Sequence, residues 1–154
     1  MNELQTKVKI DSYKNIFQEG PVSPKFIVES IQKHSKQTDI GAHGIFLGQV
    51  RADGYGSQKV IAIDYSCYKA LANNQIKKIR EYIFAKFELT CLHITHSLGK
   101  VGVGEICLFV FSSSPHRKQA LDACAEVVEK IKMELPIWGK EILENGEIAW
   151  KKNI

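Results

Sequence analysis

"GEICLFVFSSSPHRKQALDACAEVVEKIKMELPIWGKE", residues 104–141, is the most informative segment of the chain, because it predicts a strand, a helix and a rigid helix exit in direct succession. Residues 104–114 are apolar at most positions, which predicts a strand covered on both faces at the centre of a sheet. Ser114 then fits the N-cap of a helix, and Pro115 fits its first position. The helix carries one apolar stripe, formed by Leu121, Cys124, Val128, Ile131 and Leu135.

The rest of the chain predicts two further helices and several strands around this unit. One helix begins after Ser23, with Pro24 at its first position, and a second covers about 69–87. Strands are predicted over 40–50, 59–68, 90–98 and 146–152, the first two as a hairpin around the glycine-rich loop 51–58. This order indicates an α+β fold, with a mostly antiparallel sheet and packed helices.

The composition is that of a single globular domain over residues 1–154. With 44% apolar and 25% charged residues, 154 residues are enough to bury a core. No run approaches the roughly 18 apolar residues of a membrane span. Residues 1–15 lack the apolar segment of a signal peptide. We therefore expect a cytoplasmic protein.

The net charge of +4 favours an acidic partner or an anionic substrate. Lysine and arginine are scattered along the chain, without a basic run interleaved with stacking aromatics, which disfavours nucleic acid as the partner. A general phosphate- or nucleic-acid-binding protein remains an alternative, and steeply salt-dependent binding to random oligonucleotides would distinguish it.

The cysteines and strand histidines are predicted to be structural. Zinc sites commonly use closely paired ligands, and the four cysteines (Cys67, Cys91, Cys107 and Cys124) contain no C-x-x-C pair. Neither a metal nor a cofactor is expected. His43, His93 and His96 lie in strand patterns and are interpreted as structural.

His116 and Arg117 lie in the first turn of the long helix, where free backbone N–H groups and the positive end of the helix dipole meet. Cations are disfavoured there unless an anion is bound, and arginine grips phosphate or carboxylate with two hydrogen bonds. The alternative is that both are solvated surface residues. Arg51, which ends a strand beside the glycine-rich loop, is either a second anion contact or a surface charge.

The helix exit places two amines around an apolar corner. Lys132 in the last turn favourably meets the negative end of the helix dipole, which explains it without any function. Pro136 and Trp138 predict a stiff pocket wall. If Lys132 packs against that wall, burial should lower its pKa from about 10.4, so that the amine can carry protons or stabilise a developing charge. Lys140 is the second amine.

Read together, five segments resemble the catalytic (large) subunit of molybdopterin synthase in order and spacing, over about residues 40–150. They are GIFLGQVR, YSCYKALANNQI, ITHSLGKVGVGE, SSPHRKQAL and KMELPIWGKE. The combination of G-x-V-R, S-x-H-R and K-x-x-x-P-[IF]-W is highly specific. Arg51, His116, Arg117 and Lys132 match positions in the active pocket of that family.

The resemblance implies an α/β hammerhead-type fold and a homodimer of large subunits. Each large subunit holds one small ubiquitin-like subunit that ends in Gly-Gly, giving a heterotetramer. Two sulfurs, each supplied by one such C-terminal thiocarboxylate, are transferred in turn to cyclic pyranopterin monophosphate, which forms molybdopterin. The implied activity is that of a sulfurtransferase in molybdenum cofactor biosynthesis.

Three positions depart from the pattern of the family. Gly139 stands where a functional basic residue usually follows the tryptophan, Ser97 replaces an arginine, and Ser66 replaces an acidic residue. The glycine gives Lys140 the latitude to reach the site from one position later. The alternative is a non-catalytic paralogue that binds the small subunit or a pterin phosphate without turnover.

The helix length predicts a shared site. His116 and Lys132 are sixteen residues apart on one helix, hence about 24 Å at 1.5 Å per residue. A small pterin cannot touch both ends. We therefore expect a composite site, in which the neighbouring subunit supplies His116 and Arg117.

Overall fold

The computed structural model describes residues 15–151. Within them the chain forms eight strands and three helices. The strands are β1 (Phe17–Glu19), β2 (Ala42–Gln49), β3 (Gly54–Tyr55), β4 (Gln58–Cys67), β5 (Cys91–Gly102), β6 (Ile106–Ser114), β7 (Ile137–Leu143) and β8 (Ile148–Trp150). The helices are α1 (Pro24–His34), α2 (Lys69–Lys86) and α3 (Arg117–Glu134).

The strands form one sheet in the order β2-β6-β5-β4-β7-β8, and each pair along this path is antiparallel. β3 pairs with β4, and β1 adds the one parallel pairing that the described residues contain, alongside β5. The predicted α+β fold with a mostly antiparallel sheet is confirmed.

The strand β6 and the helix α3, which residues 104–135 predict, contribute many of the buried residues of the core. β6 lies between β2 and β5, and every one of its residues from Cys107 to Ser114 is buried, as its apolar run predicts. α3 packs on β2 and β6 and also contacts α2. Its buried face includes Cys124, Val128 and Ile131. Burying one such side chain contributes about 1.5–3 kcal/mol, so this face holds the helix on the sheet.

The first helix starts as predicted. The Ser23 hydroxyl accepts a hydrogen bond from the Phe26 backbone N–H at 3.1 Å, and Pro24 occupies the first turn. The helix α1 buries little surface against the sheet, because His34 is its one buried residue.

Three details of the prediction are wrong. β2 and β4 do not form a hairpin, because β6 and β5 lie between them in the sheet. The N-cap of α3 is His116 rather than Ser114, which stays at the end of β6. Leu121, assigned to the apolar stripe, is 56% exposed.

The chain leaves α3 through a single proline and enters a regular strand, rather than forming an irregular apolar corner. Because proline disfavours a helical conformation in the residue before it, Pro136 leaves Leu135 extended, with φ −82° and ψ 139°. The chain then continues directly as β7, which pairs with β4 from Cys67 to Val60. None of the helices in the described range is both long and apolar enough to cross a membrane.

Candidate functional site

A cavity of about 350 Å³ opens where α3 ends and β7 begins. It lies between the last turn of the helix, the strands β4 and β5, and the segment that follows β8. Its polar and aromatic lining consists of Tyr65, His96, Lys132, Trp138, Trp150 and Lys151. Two amines and an imidazole therefore face one enclosed space.

Lys132 enters this cavity from the last turn of α3 and is half-buried. Burial lowers the pKa of its amine, because the charged form loses hydration, and the positive charge of Lys151 lowers it further. The direction is the one that the sequence analysis expected for an amine packed at this wall.

Lys151 is the functional candidate that the sequence analysis missed. Its backbone N–H donates to the Gly139 carbonyl oxygen at 2.8 Å, which fixes it beside β7. Its Nζ lies 5.9 Å from the centre of the Tyr65 ring. The amine therefore occupies the cavity next to Gly139, the position at which the sequence resemblance led us to expect a basic side chain.

The absence of a side chain at Gly139 makes room for this arrangement. A Cβ there would lie 3.0 Å from Ile63 Cγ2, and 3.3 Å from both Lys151 Cβ and Tyr65 Cε1. Contacts that short require the neighbours to move. A basic side chain at position 139 and the present placement of Lys151 and Tyr65 therefore compete for space.

His96 is buried at the back of the cavity. Its Nδ1 lies 2.7 Å from the Ser97 carbonyl oxygen, which can only accept, so Nδ1 carries the proton. Burial lowers the pKa of His96 to about 4, and the neutral ring keeps a lone pair on Nε2. Its strand pattern gave it a structural interpretation, and its position in the cavity lining makes it a candidate site residue as well.

Two neighbouring hydroxyls are buried without a hydrogen-bond partner among the described residues. Tyr65 lines the cavity and its hydroxyl is buried, so that burial and the neighbouring Cys107 thiol raise its pKa. Ser97, which replaces an arginine of the family, is fully buried and its Oγ is likewise unpaired. Such groups cost free energy, on the order of 1–3 kcal/mol each, unless a ligand or water completes them.

The predicted anion contacts lie at the other end of α3. His116 and Arg117 are exposed and line a separate, more open depression with Gly41, Lys118 and Leu121. α3 is one continuous helix between Arg117 and Glu134. One chain therefore does not bring these residues together with Lys132.

Arg51 and Lys140 lie outside both depressions. The side chain of Arg51 is 73% exposed, and its guanidinium forms an ion pair with Asp53 at 3.3 Å. Lys140 lies opposite Asp64 in the β4–β7 ladder, and strand alternation turns it to the face away from Gly139. Of the two predicted wall residues, Trp138 lines the cavity. Pro136 sets the start of β7 and adds no lining surface.

Comparison with known proteins gives a consistent family likeness. The sequence model of the MoaE protein family matches residues 19–134. A molybdopterin synthase catalytic subunit from Bos taurus is 32% identical over 99% of this chain and 77% of its own length. The one from Thermoplasma volcanium is 33% identical over 92% of this chain and 98% of its own.

Some relatives are longer. The catalytic subunit from Oryza sativa subsp. indica is 35% identical over 78% of this chain, which spans 61% of that protein. Among solved structures, molybdopterin synthase from Staphylococcus aureus has a TM-score of 0.78 at 29% identity and covers 90% of this chain and 97% of its own. A complex of subunits 1 and 2 of the Helicobacter pylori molybdopterin-converting factor shares the fold, with a TM-score of 0.75 at 23% identity over 88% of each chain.

Proposed function

Because the chain belongs to the MoaE family, we propose that it is the catalytic subunit of a molybdopterin synthase. In this proposal it transfers sulfur from the C-terminal thiocarboxylate of a small ubiquitin-like subunit to cyclic pyranopterin monophosphate. The observation that supports it most is the convergence of the Lys132 and Lys151 amines in one cavity beside the buried His96.

The charge of the cavity suits the reactants. A thiocarboxylate and a cyclic phosphate are both anions, and two amines attract an anion more strongly in a partly enclosed space than in bulk water. Lys151 supports Lys132 in a second way, because its positive charge helps to lower the pKa of the Lys132 amine.

Lys132 is proposed to stabilise charge on the thiocarboxylate and to carry protons during transfer. Its lowered pKa brings proton exchange closer to neutrality. His96 is proposed to position the reactants by accepting a hydrogen bond at Nε2, because its Nδ1 proton is held by the Ser97 carbonyl. A ring whose pKa is about 4 stays neutral in this role.

The two tryptophans are proposed to flank the entry of the partner. Trp138 and Trp150 line the cavity, with 43% and 65% of their surface exposed. A tail ending in Gly-Gly has no side chains and is thin enough to pass between large rings. Pro136 keeps this wall in place by fixing the first residue of β7.

The substrate phosphate is proposed to bind His116 and Arg117 of a second copy of the chain, and Arg51, at the other end of β2, is kept as a separate candidate anion contact. About 24 Å of helix separates His116 from Lys132, so a homodimer is needed to bring both to one small molecule. The proposed assembly is a heterotetramer with two large and two small subunits. Its sites would lie between the large subunits.

The direct test is a single-turnover assay with the purified chain, the thiocarboxylated small subunit and cyclic pyranopterin monophosphate. Wild type should form molybdopterin, and Lys132→Ala should lose at least about 10²-fold in rate, the usual effect of removing one charge-stabilising group. The matched control is Lys130→Ala, on the same helix, whose amine contacts Glu134 at 3.5 Å. Equal rates for wild type and Lys132→Ala would contradict the proposal.

A second candidate function is supported by the departures at Ser66, Ser97 and Gly139. A paralogue that binds the small subunit or a pterin phosphate without turnover would retain the fold and lose catalytic groups. The same assay separates the two, because such a paralogue would form the complex but no molybdopterin, even in the wild-type chain.

We also propose one domain over residues 1–154 and a cytoplasmic location. None of the four cysteines, Cys67, Cys91, Cys107 and Cys124, is joined in a disulfide, as is usual in a reducing compartment. Cell fractionation of the untagged protein would test the location. Limited proteolysis that yields a single stable core would support the single domain.

A further inference from the structure

Three metal-ligating side chains converge on the face of β5 opposite the amine cavity. Cys91 and His93 are two residues apart and share one face of the strand, whereas His96 lies on the other. His34, the last residue of α1, contacts His93 on this face of the sheet. The Sγ of Cys91 and the ring nitrogens of the two histidines lie within 4.8 Å of one another. We propose that His34, Cys91 and His93 form a binding site for a divalent transition-metal ion, of which Zn²⁺ fits best.

The protonation of His34 is already the one that a metal requires. Its Nδ1 lies 2.6 Å from the Ser30 carbonyl oxygen, which can only accept, so Nδ1 carries the proton in the neutral ring. Nε2 then presents its lone pair toward His93. A ligating histidine whose other nitrogen donates to a carbonyl is the usual arrangement around protein-bound zinc.

The spacing of the donors suits a small tetrahedral ion. Bonds of about 2.0–2.1 Å to nitrogen and 2.3 Å to sulfur place neighbouring ligand atoms roughly 3.3–3.6 Å apart. The Nε2 atoms of His34 and His93 are 3.0 Å apart. The Cys91 sulfur, at most 4.8 Å from the ring nitrogens, needs to approach them by about 1.2 Å at most, which rotation of a half-buried side chain about its Cα–Cβ bond can supply.

A nearby oxygen can complete the coordination. The Cys91 thiol donates to Gln37 Oε1 at 3.6 Å, so an amide oxygen already lies beside the sulfur. Either this oxygen or a water can take the fourth position, since a site with three protein ligands leaves one open. Two nitrogens and a thiolate favour zinc over the oxygen-seeking Mg²⁺ and Ca²⁺.

Binding requires a defined movement of protons. The thiol proton of Cys91 leaves to solvent as the thiolate bonds to the ion. The one ring proton of neutral His93, which lies on Nε2 while that atom donates to His34, moves to Nδ1 through solvent so that Nε2 can bind the ion. Metal binding is therefore coupled to the release of a proton. The ion replaces the hydrogen bond between the two histidines with two coordinate bonds.

The site would fasten a helix that otherwise has little hold on the sheet. His34 is the one buried residue of α1, and the apolar side chains Phe26, Val28 and Ile31 are each at least 40% exposed. The cysteine spacing predicts no metal, because the sequence contains no closely paired cysteines. The present site combines a C-x-H pair on one strand with a histidine 59 residues from His93, which only the fold brings close.

The test uses the full chain without a histidine tag, stripped of metal with a chelator and titrated calorimetrically with Zn²⁺. The chain should bind one ion, and Cys91→Ser and His93→Gln should each weaken binding by at least about 10–100-fold, the effect seen even for residues that only support a ligand. Cys67→Ser is the matched control, because Cys67 is another half-buried free thiol and lies on β4. It should bind Zn²⁺ like wild type.

Substitution with Co²⁺ adds an optical measurement that does not depend on activity. Wild type and Cys67→Ser should show a thiolate-to-cobalt charge-transfer band, which Cys91→Ser should lack. Circular dichroism without metal establishes that each variant is folded. A folded wild-type chain without stoichiometric Zn²⁺ binding, or a Cys91→Ser variant that binds as tightly as wild type, would overturn the proposal.

Discussion

Lys151 and Gly139 are joined by a backbone hydrogen bond of 2.8 Å, and the glycine leaves the space into which the lysine side chain extends. Position 139 is the one at which the family resemblance leads us to expect a functional basic residue. Gly139 has no side chain to carry the charge. The cavity nevertheless contains a positive charge, because Lys151, which follows β8 and lies beside Gly139, supplies it.

This relationship predicts that Lys151, and not Lys140, is the second amine of the site. Lys151→Ala should lower the single-turnover rate of sulfur transfer by about 10²-fold, because a charge near the reacting anion is lost. Lys140→Ala should change the rate less than about twofold, since Lys140 lies on the other face of β7. The reverse order of the two effects would restore Lys140 to the site.

The crowding at Gly139 predicts that the two ways of placing the amine exclude each other. Gly139→Lys alone should destabilise the protein by about 1–3 kcal/mol, because its Cβ would approach Ile63 Cγ2 to 3.0 Å. Gly139→Lys combined with Lys151→Ala should regain part of the activity that Lys151→Ala loses. Urea unfolding and the transfer assay on the four proteins of this cycle measure both effects.

Additive losses in that cycle would be the contrary outcome. They would indicate that residues 139 and 151 act independently, and that the glycine departure has not been offset by Lys151.

The sequence predicted features that depend on near neighbours and on the family motif. Ser23 and Pro24 start a helix through contacts within three residues, and the motif around Lys132 identified an amine that does lie in the cavity. Lys151 escaped because its proximity to Gly139 depends on the register of β8 against β7. The hairpin of β2 and β4 was wrongly predicted because strands that follow one another in sequence are here separated by two others.

The burial of His96 predicts that the protein becomes less stable at acidic pH. Its pKa is lowered by burial from 6.5 to about 4. The unfolded chain therefore binds more protons than the folded one between those values, and the free energy of unfolding falls as the pH drops through that window. Because one pKa unit corresponds to 1.36 kcal/mol, the difference between the two pKa values of His96 lowers the free energy of unfolding by about 3 kcal/mol across this window.

Urea unfolding in the presence of a chelator, at pH 4 and at pH 7, measures this loss. His96→Gln should lose less stability over the same interval, because glutamine does not titrate. His116→Gln should lose as much as wild type, since His116 is exposed. Parallel profiles for wild type and His96→Gln would place the acid sensitivity elsewhere.

The separation of His116 and Lys132 on one helix predicts complementation between two inactive variants. Lys132→Ala and Arg117→Ala homodimers should both be impaired, because every composite site carries one substitution. When the two variants are mixed and allowed to exchange subunits, half of the dimers are mixed and each has one intact site of two. Activity should therefore recover to roughly a quarter of wild type.

The decisive control is a mixture of wild type with the double variant Lys132→Ala/Arg117→Ala. If the site is shared, both sites of a mixed dimer contain one substitution, and only the wild-type homodimers, roughly a quarter of all dimers, remain active. If each chain has its own complete site, activity should instead be about half of wild type, and the two single variants should fail to complement. Measuring both mixtures by the transfer assay, after subunit exchange has been verified by mass spectrometry, therefore distinguishes a shared site from two independent ones.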